Sequence, residues 1–482
     1  MSNLRFSIIY KFETFILFIL SLVTFIPPLV YSLYLEDEEI LTFLIPVLLA
    51  LFLYSLSVPI KSHKLSEKEA LFIAVSIWFI FPVFTALGYI LSGYIHDPID
   101  AYFESVSGFT TTGASILEDI EKLPESVLLL RSITNWIGGL GFAVFAVSFL
   151  STRLPIGRAI VKFESSKIVE EKIEPRVKEV TKIVFLVYIT LTVIEIILLK
   201  ISGLSWYNSI TYTFSTVATG GFAPENESVG AFNSFAVEII ISLFMIMGAI
   251  NLQLYYVAYK KRSVIRFFSD QEVIVFLAII CGSVMFATAV LYLSGFYPDM
   301  YESFRYALFQ IVSTATTTGF SSTDYSDWHP SVLSLMMILS LIGAVGGSTG
   351  GGIKIFRAIL VYKTVKAELK KIAHPKAVYR ITIKGKPLDV STISMFWAFL
   401  SLYVATTVFF GFLLTLSGHD LVTSFSASIA CITSLGPGLG DVGPASNFSA
   451  FNDFEKLALS FEMIFGRLEI IPVISMLFIK NI

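Results

Sequence analysis

The chain has 482 residues, of which 55% are hydrophobic and 15% charged, with a formal net charge of −3. Soluble domains carry roughly 25% charged residues, so this composition excludes a water-soluble globular protein. Apolar runs long enough to cross a bilayer, about 20 residues each, recur along nearly the whole sequence and make lipid the solvent.

In chain order, candidate spans run 12–34, 41–60, 71–94, 126–150, 183–202, 234–258, 273–295, 331–360, 393–417 and 455–480. The first lacks a small-residue cleavage site and reads as a span, not a signal peptide. Segments 61–68, 153–182, 259–266 and 357–386 hold 24 of the chain's 34 basic residues. The connections at 35–40, 203–233 and 418–454 are acidic and contain no Lys or Arg. Basic loops stay cytoplasmic, which predicts both termini inside and the acidic loops outside, where they concentrate cations. Cys281 and Cys431 lie in apolar surroundings and form no disulfide framework, and the five His show no metal-ligand spacing.

The connections after the third, fifth, seventh and ninth spans share a pattern. Short apolar runs at 101–108, 207–215, 303–313 and 422–431 each stop at a Thr/Ser/Gly break. They are too short to span and predict re-entrant loops, tolerated only beside water or inside protein. Aligned on their glycines, the breaks present Thr111, Thr112 and Gly113; Ala218, Thr219 and Gly220; Thr317, Thr318 and Gly319; and Ser434, Leu435 and Gly436. The glycines are 107, 99 and 117 residues apart, a fourfold internal repeat. Four such segments around one axis can supply the carbonyl ring that replaces a cation's hydration shell. Each preceding short helix directs its partially negative C-terminal end at the cation. No Asp or Glu occupies these positions, which favours potassium over a side-chain-selected divalent ion.

These loops resemble those of the Trk/Ktr/HKT potassium transporters, in particular the TrkH/KtrB membrane subunits. W-I-G-G-L-G at 136–141, N-L-Q-L-Y-Y at 251–256, L-G-P-G at 435–438 and F-G-R-L-E at 465–469 are similar to that family's signatures. The resemblance implies an all-α polytopic membrane protein with four tandem M1–P–M2 pore repeats in pseudo-fourfold symmetry. The expected units are an N-terminal two-helix domain at 1–68 and repeats at 69–152, 153–262, 263–386 and 387–482. It further implies potassium bound at the filter residues only and a homodimer with one pore per subunit in the plasma (cell inner) membrane. A separate nucleotide-binding RCK subunit would dock on the cytoplasmic side; this chain itself carries no cofactor, and nothing points to nucleic acid. Leu435 departs from the Thr that precedes Gly in the other loops and makes the filter asymmetric.

The eighth span contains Gly343, Gly346, Gly347, Gly350, Gly351 and Gly352, with Ser348 and Thr349 between them. Each interior Gly costs a helix up to about 1 kcal/mol, so a break at mid-membrane is expected. The resemblance makes it an intramembrane gate and Arg467 a positive barrier beneath the filter; Lys354 could serve the same purpose or snorkel to the cytoplasmic surface. Arg467 could equally pair with Glu462 or Glu469, and Glu195 is expected to pair within the bundle. Gly346–Gly350 also fits G-x-S-x-G, but its apolar flanks exclude a nucleophile elbow, and no catalytic constellation accompanies it. Two alternatives stay open: sodium permeation, although Gly113 rather than Ser stands in the first loop, and an ion-coupled transporter. The second would favour inverted repeats and a buried carboxylate.

Overall fold

The computed structural model describes residues 4–61, 63, 65–150, 173–263, 268–374, 381–383 and 386–477. Two helices, α1 (Phe6–Leu35) and α2 (Ile40–Ser57), pack on each other ahead of the repeats. Four helical units follow. The first comprises α3 (Glu67–Leu91), α4 (Pro98–Phe109) and α5 (Glu125–Leu150); the second α6 (Ile173–Ile201), α7 (Trp206–Val217), α8 (Phe235–Gly248) and α9 (Leu252–Lys260). The third has α10 (Gln271–Leu293), α11 (Met300–Ala315), α12 (Pro330–Ile342) and α13 (Ile355–Ala373). The last has α14 (Val390–Leu416), α15 (Leu421–Thr433), α16 (Asp453–Arg467) and α17 (Ile471–Leu477). Among the described residues the only β structure is a two-residue pairing of Thr382–Ile383 with Lys386–Pro387.

Helices α1, α2, α3, α6, α10 and α14 are long and apolar enough to cross a membrane as single rods. The expected span 126–150 lies within α5. Three other expected spans are not continuous. Segment 234–258 bends by 90° between α8 and α9. Segment 331–360 breaks at the glycine cluster between α12 and α13, as its composition predicts. Segment 455–480 breaks at 468–470, where Glu469 and Ile470 both take left-handed backbone (φ 62° and 51°). Much of the basic segment 153–182, with parts of 61–68, 259–266 and 357–386, lies outside the described residues.

The short helices α4, α7, α11 and α15 are started by side-chain caps. Asp97, Ser205, Asp299 and Asp420 each accept hydrogen bonds from backbone N–H groups in the first turn. Such a cap satisfies donors that a helix end otherwise leaves open. Each short helix packs on the long helix before it: α4 on α3, α7 on α6, α11 on α10 and α15 on α14. The helix after each one packs on the short helix of the next unit: α5 on α7, α8 on α11, α12 on α15 and α16 back on α4. That last contact closes the units into a ring.

Candidate functional site

All four short helices end in the same turn. Thr112, Gly220, Thr318 and Leu435 donate their N–H groups to the carbonyls of Ser107, Ser215, Ser313 and Ala430 at 2.8–2.9 Å. The residue before each is left-handed: Thr111 (φ 55°), Thr219 (54°), Thr317 (57°) and Ser434 (57°). Two residues further on the backbone is again left-handed, at Gly113, Gly221, Gly319 and Gly436 (φ 72–95°). A left-handed residue costs an L-amino acid strain that glycine avoids.

This geometry corrects the register of the second loop. The equivalent triplets are Thr111–Gly113, Thr219–Gly221, Thr317–Gly319 and Ser434–Gly436. Gly220 is therefore the counterpart of Thr112, and Ala218 sits at the end of its helix. Gly221, not Gly220, is the counterpart of Gly113. Two adjacent glycines left the alignment ambiguous by one residue in the sequence.

The glycines also report which loops adjoin. A Cβ placed on Gly113 would lie 2.5 Å from the Gly220 carbonyl oxygen, and one on Gly221 2.1 Å from that of Thr318. On Gly319 it would lie 1.9 Å from the Leu435 oxygen, and on Gly436 2.7 Å from that of Thr112. Each loop presses a bare Cα against a carbonyl of the next, and the fourth returns to the first. The same four glycines line one cavity of about 160 Å³, together with Glu118, Arg131 and Glu225.

Further glycines set the helices behind the ring. Gly138, Gly248 and Gly466 approach the equivalent carbonyls of Phe109, Val217 and Ile432, where a Cβ would come within 1.9, 2.9 and 2.0 Å. A Cβ on Gly139 would come within 2.9 Å of the Cα and Cβ of Ala218, which accounts for the paired glycines at 138–139.

The glycine-rich segment between α12 and α13 lies against these helix ends, and none of its residues lines the cavity. Gly351 donates to the Thr317 hydroxyl (2.6 Å), and Gly352 to the Thr433 carbonyl (3.1 Å). The Thr349 hydroxyl is within 3.0 Å of the carbonyls of both Val217 and Gly248. Ser348 folds back on Val345, while Gly347 packs on Asn251, the residue that caps α9. Gly346 lies in the same turn, and Gly350 touches the Thr316 carbonyl. Arg467, 2% exposed, donates to the Thr349 carbonyl at 2.8 Å, and Lys354, 3% exposed, to that of Gly350. The hydroxyls of Thr219 and Thr317 are thus engaged by this segment, whereas those of Thr111 and Ser434 have no hydrogen bond among the described residues.

The carboxylates near Arg467 are otherwise occupied. Glu469 takes Arg357 at 2.5 Å, and Glu462 accepts from Ser428 at 2.6 Å. Glu195 does not pair within the bundle as expected: it is fully buried, and neither carboxyl oxygen has a hydrogen bond among the described residues. The Thr216 hydroxyl faces Glu195 and donates to the Tyr212 backbone carbonyl at 2.7 Å.

Residues 56–481 match the family described as TrkH, cation transport protein. The Trk system potassium uptake protein TrkH of Halomonas elongata is 33% identical over 458 residues, 94% of each chain. The Trk system potassium uptake protein TrkG of Escherichia coli is 32% identical over 93% of each. The crystal structure of the potassium transporter TrkH from Vibrio parahaemolyticus superposes with a TM-score of 0.90 at 31% identity, covering 98% of this chain and 99% of that one. Composition, the ring of helical units and these matches converge: the chain is a multi-pass, all-helical membrane protein and belongs to the TrkH family of cation transport proteins.

Proposed function

We propose that this protein takes up potassium through a pore whose filter is the ring of Thr111–Gly113, Thr219–Gly221, Thr317–Gly319 and Ser434–Gly436. The observation that carries the reading is the cyclic contact of four left-handed glycines with four carbonyls. A closed ring of backbone oxygens is the arrangement that substitutes for a cation's water. Below it, Gly346–Gly352 is the gate, held shut by Lys354 and Arg467, whose charges oppose a cation leaving the filter. The names of the relatives, potassium uptake proteins, support the choice of ion. The protein acts as a homodimer in the plasma membrane with both termini cytoplasmic, under a separate nucleotide-binding RCK subunit docked on its basic inner loops.

The test is uptake of potassium, rubidium and sodium into liposomes containing the purified protein. Potassium and rubidium uptake abolished by Gly113→Asp supports the filter; uptake indifferent to that substitution overturns it. Glu195 favours one rival, flux coupled to protons, because transporters keep such buried carboxylates for coupling. Uptake that requires a proton gradient and is lost in Glu195→Gln would establish that rival.

A further inference from the structure

The segments just beyond the ring are tied back to the short helices, and the four ties are unequal. Seven residues before the left-handed Thr or Ser, the helices carry Glu104, Tyr212, Gln310 and Ala427. Glu104 is fully buried and accepts from the Ser115 hydroxyl (3.0 Å to each oxygen) and the Ile116 N–H (3.0 Å). Tyr212 donates to Glu225 (2.6 Å), and Gln310 donates to the Thr323 carbonyl at 3.4 Å. In the fourth unit the neighbouring Ser426 holds Leu439, accepting from its N–H at 2.8 Å. Only the first of these four ties contains an ion pair. Arg131, 1% exposed, donates to Glu104 at 2.8–2.9 Å and to Ser115 at 3.3 Å.

Arg131 also reaches into the second loop. It donates to the Ala223 carbonyl (3.1 Å) and lies 4.1 Å from the centroid of the Phe222 ring, immediately after Gly221. One guanidinium therefore holds the segments following Gly113 and Gly221 at a fixed separation. A guanidinium suits this task because its donors form a rigid fork. Hydrogen bonds to charged groups are also the stronger kind. Loop three is tied to loop two by the Gly230 N–H on the Ser321 carbonyl (3.1 Å), and loop four to loop one by the Phe448 N–H on the Ser115 carbonyl (2.8 Å), but among the described residues neither link is charged.

We infer that Glu104 and Arg131 are specificity-determining positioning residues: their buried pair clamps loops one and two and so sets discrimination between potassium and sodium. The inference rests on the proposed filter. Discrimination by a carbonyl ring depends on how firmly its oxygens are held, and support behind a site fixes that geometry. Removing the clamp lets the first two loops contract around a smaller ion.

The experiment measures the rubidium-to-sodium uptake ratio in liposomes for the full chain carrying Glu104→Gln with Arg131→Met, which leaves no lone buried charge. The ratio should fall by about tenfold, equivalent to about 1.4 kcal/mol, the loss of one or two charge-assisted bonds. Gln310→Leu, at the weakest tie, should change it less than about twofold. A residue needed only for folding would lower uptake of both ions alike. A double variant that elutes as the wild type and keeps the wild-type ratio refutes the clamp. Should that variant not fold, Ser115→Ala decides: a ratio reduced severalfold supports the clamp and an unchanged one refutes it. Wild-type protein that transports neither ion would instead overturn the filter itself.

Discussion

The register of the second loop yields the sharpest prediction, because Gly220 and Gly221 are adjacent and only one occupies the ring position. In Gly221→Ala the new methyl would meet the Thr318 carbonyl oxygen at 2.1 Å, and φ is 72°. Ordinary C···O contacts are about 3.3 Å or more, so loops two and three must separate by about 1 Å. Left-handed strain adds about 1–2 kcal/mol and overpacking about 1–3 kcal/mol. A displacement of that size exceeds the roughly 0.5 Å tolerance of a preorganised site, and misplacement by 1 Å can cost about a hundredfold in rate. In Gly220→Ala the methyl meets the Asn135 side chain, at 2.5 Å from Cγ, and the backbone there is not left-handed. That side chain can be removed: Gly220→Ala with Asn135→Ala should recover uptake, at the loss of one bond from Asn135 to Ser215 (3.2 Å). Rubidium uptake into liposomes, normalised to folded protein, is the assay. Gly221→Ala conducting normally, with Gly220→Ala inactive and not rescued by Asn135→Ala, would refute the register.

Other expectations follow from the same contacts. Arg467→Met removes a charged donor from the Thr349 carbonyl; such bonds are worth about 1.5–3 kcal/mol. The glycine-rich segment should then leave its position more often and unregulated uptake should rise; a rate equal to wild type would argue against a restraint. Glu195→Gln removes no hydrogen bond, so the unfolding free energy in detergent should change by less than about 1 kcal/mol, whereas a loss of about 3–5 kcal/mol would indicate a paired charge. Burial pushes the Glu225 carboxyl above its ordinary 4.5, partly opposed by its bond from Tyr212. Its contribution to stability is thus present at low pH and lost as pH rises through the folded value. On acidification it is neutralised earlier than an ordinary carboxylate. Uptake at low external cation concentration should therefore decline on the acid side starting above pH 4.5, and Glu225→Gln should flatten that limb.

The features legible without coordinates are those carried by neighbouring residues. Apolar runs, the basic and acidic alternation of loops, and four short helices stopped by Thr/Gly breaks each occupy a single stretch of chain. The break at 343–354 was equally legible, since six glycines remove helix propensity locally. The bend at 249–251 carried no such signal, and the break at 468–470 only Pro472 just beyond it. Each follows a single glycine, Gly248 and Gly466, pressed on the carbonyl of a short helix more than 30 residues earlier. Arg467 illustrates the same limit: the sequence marked it as a charge in lipid, but its acceptor, Thr349, lies 118 residues away. The choice between Gly220 and Gly221 was likewise tertiary, because it depends on which Cα meets Thr318 about 100 residues downstream. Hydropathy and conformational preference act along a few turns of chain and determine what each segment becomes. Steric contact between repeats decides which atoms form the ring, because close packing leaves room for a bare Cα and none for a methyl group.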